Sequence, residues 1–599
     1  MKFPYGIYDF KKIITEDYFY CDRTGMIPLI EKAGTSVLFL RPRRFGKSLL
    51  LSMLENYYDI KKKDLFNEIF GKLDIGKNPT KLRNNYFVLK FDFSCVDSSG
   101  SVKEIKQSLY DHVNSRIKRF IKYYQSYLTE KIEINPDNAL SSLESLLTTI
   151  ELMDPSIYLL IDEYDNFANE LMLSKKSVSE IEKNDDSYTS LVKKDGPLKT
   201  LFKAIKAGSN SNGFDRAFIT GVSPVVMSDI TSGYNIAEDI YSDEEFNGLC
   251  GFYESDVLDV LNKISESCSF DKEFINNTMF LIKKYFNGHK FSLDSEDHIY
   301  NPTLTIRFLK TLFKTCKPPR QMLDVNLAVD NEKIAYIVAL SQGKKMILNL
   351  CEKDSNVEVS IIQNRFGIKD LLSDSTKDNL FIASYLYYVG ALTIFEENTK
   401  GKIRLRIPNL IMKSLYIDKI QQMLFPKVLD RDSGKLAAEE VYTNGNIEPL
   451  CSFIENNYFP VFDNRDYKWA NELTVKTIFL SLLYNDILYI MDSETEINRK
   501  YIDLTMILRP DKRHFQTHDI LIEFKYVKLS KANLSGEQAK KLTLDELKNI
   551  NCIKKAMDEA KEQSLDYAKE LAATYRKLSL KSFAVVCIGF ERLYWEKVN

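Results

Sequence analysis

The chain has 599 residues, 44% of them hydrophobic and 28% charged, so at about 100–200 residues per domain it needs three or four cores. That composition excludes wholesale disorder and collagen-like or mucin-like repeats. Its 82 Lys+Arg against 84 Asp+Glu leave a net charge of −2, which excludes a basic coat over the whole molecule but not a local basic groove. Nine cysteines with no CxxC pair read as reduced thiols in a reducing compartment, not as a disulfide framework or a zinc site. The start, MKFPYG, lacks a signal-peptide core. The longest uncharged apolar stretch, residues 379–395, is shorter than the roughly 20 residues of a membrane span. It reads as a buried helix followed by a strand, and the expectation is a soluble, cytoplasmic protein without a membrane partner.

In chain order, residues 36–40 (SVLFL) predict a short buried strand, 48–58 a helix, 86–94 (YFVLKFDFS) a strand, and 102–131 and 139–153 helices. Strands follow at 157–161 (IYLLI) and 216–221 (RAFITG). Strands alternating with helices predict a parallel α/β sheet. The Ser-, Lys-, Asp- and Glu-rich stretch 175–195 predicts a mobile loop or insertion. Residues 254–330 are helical apart from a polar loop at 292–298, and 331–425 are helical until a hairpin at 391–408, a pattern that suits a winged-helix-like module. Polar residues 430–446 predict a linker, and the last 150 residues run helix, hairpin, long strand, helix, strand. The expected domains are 1–253, 254–330, 331–430 and 447–599.

Arg41-Pro-Arg-Arg-Phe-Gly46-Lys47-Ser48 matches the last three positions of GxxxxGK[ST], with Arg41 in place of the first glycine. The loop follows a strand and opens a helix, where backbone N–H groups cradle phosphates. Lys47 would reach the β- and γ-phosphates and Ser48 would ligate magnesium. A chance GKS at a helix start is the bland alternative. The second motif argues against it: the buried strand 157–161 delivers Asp162-Glu163 at its carboxyl end, with Asp162 placed to hold magnesium and Glu163 to polarise the attacking water. Arg44, Phe45, Gly46, Lys47, Ser48, Leu49, Asp162 and Thr220 form the expected cofactor-binding set for ATP and Mg2+. Thr220 or Ser223, at the end of the next strand, would sense the γ-phosphate or merely cap the strand. Arg43 and Arg44 would neutralise phosphate charge or stand solvated.

FPYG at residue 3, YCDRT at 20, RPRRFGKS, LLIDEYD, FITGVSP, YFNGHKF at 285 and YNP at 300 together resemble the bacterial AAA-ATPase-like family over residues 3–310. Arg23 stands where that family has a lysine, and His289 ends the segment corresponding to its WYxGY. The resemblance implies an ATP-binding domain with a helical lid.

Near the C-terminus, Asp503 precedes Ile520-Leu-Ile-Glu523-Phe-Lys525 by one hairpin. Alternation puts Glu523 and Lys525 on one face of a strand. This is the D…ExK arrangement of magnesium-dependent nucleases: Asp503 and Glu523 as hard metal ligands, Lys525 positioning water or neutralising developing charge. The bland alternative is the wet face of an amphipathic strand. Glu472 on a helix at 467–484, and Gln563 and Tyr567 four apart on a later helix, complete an order that resembles the PD-(D/E)XK nuclease superfamily over residues 453–590. The resemblance implies a restriction-endonuclease-like α/β domain and adds Glu472 and Gln563 to the catalytic set. Ser493-Glu494 suits its "sE…grxDl" stretch, although the expected glycine is absent from Arg499-Lys500-Tyr501-Ile502. Residues 499–531 carry eight Lys/Arg against four Asp/Glu, which suits a phosphate backbone or a solvated face. His514 and His518 are four apart without a full zinc set.

The leading expectation is therefore an ATP-hydrolysing protein whose nucleotide state gates a magnesium-dependent nuclease acting on nucleic acid, DNA being the first choice. The alternative is an ATP-switch interaction protein with a non-cutting, nuclease-like binding domain. A small-molecule kinase leaves the long C-terminal region unexplained. Oligomeric state is open, a homo-oligomer included.

Overall fold

The computed structural model describes residues 1–97, 101–166, 197–210, 213–224, 237–323, 328–350, 356–366, 378–461, 472–492, 496–497, 500–575 and 578–599. The expected loop at 175–195 and the Ser493-Glu494 pair lie outside them. The chain gathers into two compact units built from interleaved segments: Met1–Asp271, Phe286–Cys316 and Glu358–Pro408 in one, and Lys272–Tyr285, Lys317–Val357 and Asn409–Asn599 in the other.

The first unit is built on β1 (Ser36–Leu40), α1 (Lys47–Tyr58), β2 (Phe87–Asp92), α2 (Val102–Tyr123), α3 (Ala139–Glu151), β3 (Ile157–Asp162), β4 (Phe214–Gly221) and β5 (Glu238–Asp239). The sheet order is β2-β3-β4-β1-β5, and every pairing is parallel. A parallel sheet is covered on both faces, so its central strands read as unbroken apolar runs; β1 and β3 are buried at every residue. Register aligns the strand ends, Leu40 with Gly221 and Asp92 with Asp162. The functional loops therefore gather along one edge. α2 begins with a Ser101/Glu104 capping box, which satisfies N–H groups left open at a helix start.

Next come α4 (Glu254–Cys268), α5 (Lys272–Phe286) and α6 (Pro302–Thr315), with the irregular 292–298 segment between α5 and α6 as expected. Cys268 and Cys316 are disulfide-bonded, with Cα atoms 5.7 Å apart. This corrects the expectation of thiols throughout. The two cysteines are 48 residues apart in sequence, and they meet only because α4 and α6 pack together. Cys21, Cys95, Cys250, Cys451, Cys552 and Cys587 are free.

β6 (Asn356–Val359), α7 (Asn379–Tyr388), β7 (Thr393–Glu397) and β8 (Ile403–Arg406) form the helix-plus-hairpin module, with sheet order β6-β8-β7. Residues 379–395 are thus a buried helix and a strand. Among the described residues no helix is long and apolar enough to cross a membrane.

In the second unit, α8 (Leu410–Leu424) is followed by α9 (Val428–Thr443). The expected linker at 430–446 is thus mostly helix. Its buried row is Gly434, Ala438 and Val441, small residues at i, i+4 and i+7 that carry little apolar signal. Then come α10 (Glu472–Leu483), β9 (Tyr489–Asp492), β10 (Glu496–Ile497), β11 (Lys500–Tyr501), β12 (Leu504–Leu508), β13 (Asp519–Val527), α11 (Asn551–Thr574), β14 (Leu580–Ile588) and β15 (Arg592–Lys597). The sheet order is β15-β14-β13-β12-β9; only β13 and β14 run parallel, joined through α11. Ile520, Ile522 and Phe524 point into the core beneath α10, where Phe479 meets Phe524 at 4.9 Å, whereas Leu521 packs with Tyr567 and Leu571 of α11. The two-residue pleat therefore assigns Glu523 and Lys525 to the α11 face.

Backbone conformation calls for glycine at position 288. Gly288 lies at φ +104, and a Cβ there would stand 2.0 Å from the Pro408 carbonyl oxygen. Gly288→Ala is expected to lower stability by about 2 kcal/mol or more, since it adds a left-handed backbone penalty to a collision with main chain. Urea unfolding of the variant beside wild type checks this.

Candidate functional sites

The loop between β1 and α1 is shaped by Arg44 at φ +68 and Gly46 at φ +96, left-handed positions that turn the chain back onto the helix N-terminus. Arg41 is 1% exposed. Its guanidinium is sandwiched between the rings of Phe39 (4.4 Å) and Phe291 (4.1 Å) and donates to the carbonyls of Leu40 (2.8 Å), Tyr241 (2.8 Å) and Phe246 (2.7 Å). Burial lowers its pKa to about 10. The residue in place of the first glycine thus braces the loop from behind. Phe45 is also buried, edge-on to His289 at 5.0 Å and Phe291 at 5.4 Å, and the Arg44 carbonyl accepts from Thr303 Oγ1 at 2.9 Å. Ser48 and Leu49, in the first turn of α1, are partly exposed.

Lys47 is buried and folds back over the loop, donating to the Arg41 and Pro42 carbonyls at 2.8 and 3.0 Å. Burial lowers its pKa, opposed by the charges of Asp162, Glu163 and Asp165. Asp162 Oδ1 accepts from Thr220 Oγ1 at 2.8 Å and from the Glu163 N–H at 3.1 Å. Glu163 lies at φ +50; burial raises its pKa, with Lys47 and Arg43 pulling the other way. Thr220 therefore touches the acidic strand end directly, while Ser223 serves a neighbour. The carboxylate of Asp165 accepts from the N–H groups of Val222 (3.0 Å) and Ser223 (2.8 Å) and from Ser223 Oγ (3.0 Å). Sequence reasoning missed Asp165, although LIDEYD displays it three residues beyond Asp162.

In the second unit Asp503 lies between β11 and β12, beside β13. Its Oδ2 accepts the Phe524 N–H at 2.9 Å, and its own N–H donates to Glu523 Oε1 at 3.3 Å. Its Oδ1 is ion-paired with Lys476 of α10, which also stands 3.9 Å from Glu472 Oε1. Glu523 is 2% exposed. Burial, and then the Asp503 charge, push its pKa up to about 9. Glu472 is raised as well, by burial and by Asp503, with Lys525 and Lys476 opposing. Lys525 is half-buried and donates to the Phe524 carbonyl at 3.1 Å. The hydroxyl of Tyr567 on α11 is raised to about 12 by burial and by the charges of Glu523 and Asp503. Gln563, one turn earlier, is exposed.

The structure thus gathers Glu472, Asp503, Glu523 and Lys525 and adds Lys476, which the sequence signalled only as a lysine one helical turn from Glu472. It also sorts the local basic residues. Arg509 is fully buried and donates to the Pro319 and Arg320 carbonyls and to Asp511, while Lys512 pairs with Asp511 and Arg513 with Asp519. Those three cations are structural. His518 meets Ser579 at 3.0 Å. Among the described residues no group of three His, Cys, Asp or Glu side chains is close enough to hold a metal by itself. The donor set at Asp503 and Glu523 is two adjacent hard carboxylates, one already bearing a cation, which fits a divalent ion completed by water and substrate oxygens.

Residues 4–231 match the family model described as "Predicted AAA-ATPase", and residues 470–597 match that of the PD-(D/E)XK nuclease superfamily. An AAA-ATPase-like domain is therefore followed by a nuclease-superfamily domain, the arrangement expected from the motifs. The chain is similar over 562 residues, at 24% identity, to an uncharacterized protein encoded in the vnfD 5' region of Azotobacter chroococcum mcd 1, covering 90% of this chain and 92% of that one. Among solved structures it resembles the Walker-type ATPase paby2304 of Pyrococcus abyssi (13% identity, TM-score 0.39, 67% of this chain and 96% of that one). It also resembles the Aeropyrum pernix ORC1 protein in complex with DNA (9% identity, TM-score 0.27, 68% and 96%).

The Glu523 proton has a measurable consequence. An unfolded glutamate titrates near its ordinary 4.5 and the folded one at about 9. Between those values the native state holds a proton that the unfolded chain has released, so this contribution to stability is full below the lower value and is lost as pH rises toward the upper. In EDTA, Glu523→Gln is expected to melt higher than wild type at about pH 8, by roughly 2–4 °C per kcal/mol recovered, and to flatten the fall in Tm toward about pH 9. Differential scanning calorimetry across that range checks both.

Proposed function

We propose that the chain is an ATPase and a metal-dependent nuclease acting on nucleic acid, DNA in the first instance, in the cytoplasm, and that its nucleotide state gates cutting. The observation that carries this reading is the Asp503–Glu523 pair, two sheltered carboxylates held side by side beside Lys525, a donor set suited to a divalent cation.

At the nucleotide site, Lys47 would leave the Arg41 and Pro42 carbonyls for the β- and γ-phosphates. Ser48 and Asp162 would hold Mg2+, with Thr220 fixing the Asp162 carboxylate. Glu163 would orient the attacking water and accept its proton. Arg44, Phe45, Gly46 and Leu49 shape or flank the cradle. At the nuclease site, Asp503 and Glu523 would hold the divalent ion, whose chemistry when bound is to lower the pKa of water and neutralise charge on the phosphate. Lys525 would offset charge developing on the phosphate. Glu472 and Gln563, at the rim, would contact water or substrate. Residues 254–330 would act as the lid, and 331–430 and 447–599 as the middle and nuclease domains.

Lys47→Ala is expected to remove ATP binding in a chain that still melts cooperatively. Unchanged nucleotide affinity in equilibrium dialysis would overturn the assignment.

Asp503→Ala and Lys525→Ala are each expected to lower Mg2+- or Mn2+-dependent plasmid cleavage by about 100-fold or more while sparing ATP hydrolysis. Glu163→Gln, which binds ATP but hydrolyses it slowly, is expected to cut at a rate about 5–150-fold different from Lys47→Ala. Equal rates in those two variants would mean independent sites. No cleavage of DNA or RNA by wild type under any nucleotide condition would leave a non-cutting ATP switch.

A further inference from the structure

The ammonium of Lys476 is ion-paired with Asp503, one of the two carboxylates proposed above to hold a metal ion. Each oxygen of Asp503 already has a partner, Oδ2 the Phe524 N–H at 2.9 Å and Oδ1 the Lys476 ammonium. The pair is sheltered, with side-chain exposures of 18% for Lys476 and 11% for Asp503, so solvent screens it less than a surface pair. α10 is held in place one turn further on, where Phe479 packs on Phe524. Moving the lysine side chain leaves that packing intact, whereas withdrawing the helix would break it. Glu472, 3.9 Å from the same ammonium and on the same helix face, offers it a second carboxylate.

We infer that Lys476 is a resident counter-cation of the nuclease site: it neutralises Asp503 in the metal-free chain, and a divalent ion enters by displacing it toward Glu472. Lys476 is thus a positioning residue that sets how much free metal the site requires. This inference rests on the proposed reading of Asp503 and Glu523 as metal ligands. No bond is made or broken; one cation replaces another. Metal affinity is lowered to the extent that the ammonium pairs better with Asp503 than with Glu472.

The test is Mn2+ binding to the full-length, nucleotide-free chain by isothermal titration calorimetry, with no substrate present. Lys476→Met keeps the length of the side chain and removes its charge. It is expected to bind Mn2+ about 10- to 100-fold tighter than wild type, the equivalent of one charged hydrogen bond. Lys476→Arg, which keeps the charge, is expected to stay near wild type. Unchanged or weaker Mn2+ affinity in Lys476→Met would overturn the inference. Asp503→Asn separates the two levels: it should lose the Mn2+ site, and if it binds as wild type does, the reading of the site itself fails. The wild-type protein supplies a second measurement that needs no variant. Saturating Mn2+ is expected to speed acetylation of Lys476 by acetic anhydride, read by mass spectrometry, as the ammonium leaves Asp503. Protection unchanged by Mn2+ would overturn the displacement.

Discussion

A carboxylate taken out of water must find a cation, a proton or a set of N–H and O–H donors, and both candidate sites are organised by how each acidic group meets that demand. Asp165 takes three donors from Val222 and Ser223. Asp162 takes the Thr220 hydroxyl and a backbone N–H. Asp503 takes Lys476 and the Phe524 N–H. Burial raises the pKa of Glu523 and, in the same direction, that of Glu163. The groups satisfied by fixed donors are the frame. Groups that burial leaves short of fixed donors have more to gain from a cation or a proton.

The two sites reach this state by different routes. In the parallel sheet, β3 and β4 lie side by side, so Asp162 and Thr220 meet through strand register alone. In the mixed sheet, Asp503 stands just ahead of β12 and reaches Glu523 across an antiparallel pairing, while α10 brings Glu472 and Lys476 from outside the sheet. A shift of one residue between β12 and β13 would turn Glu523 into the hydrophobic core beneath α10 and Phe524 toward α11. The apolar residues alternating with Glu523 therefore protect the site as well as the fold.

Much of this was legible in the chain because the signals are local. A strand buried at every position reads as an apolar run, as at β1 and β3, and a loop followed by GKS or DE reads as what that strand end delivers. What stayed hidden depends on partners distant in sequence. Arg41 looked like a variation within a phosphate loop, and its structural role requires carbonyls about 200 residues away. Arg509 counted toward a basic groove until the Pro319 and Arg320 carbonyls accounted for it. Cys268 and Cys316 needed two helices to pack. Residues 430–446 read as linker because the helix buries glycine and alanine, which look neutral in any hydropathy pattern.

The back of the loop between β1 and α1 is closely packed. Arg41 is clamped by Phe39, Phe291 and distant carbonyls, and Phe45 is wedged against His289 and Phe291. Pro42 lies so close to Gly390 that a Cβ there would come within 2.8 Å of its ring. At the front, Lys47 donates hydrogen bonds to the carbonyls of Arg41 and Pro42, the same two residues braced from behind. If Lys47 turned to a phosphate, as proposed, those carbonyls would lose a charged donor and packed rings would oppose backward relaxation of the loop. The change would then fall on the acidic face in front or pass through Phe45 and Pro42 into the segments carrying His289 and Gly390. Close packing of this kind transmits a displacement and does not dissipate it. A response to nucleotide would therefore begin in the 286–316 and 358–408 segments.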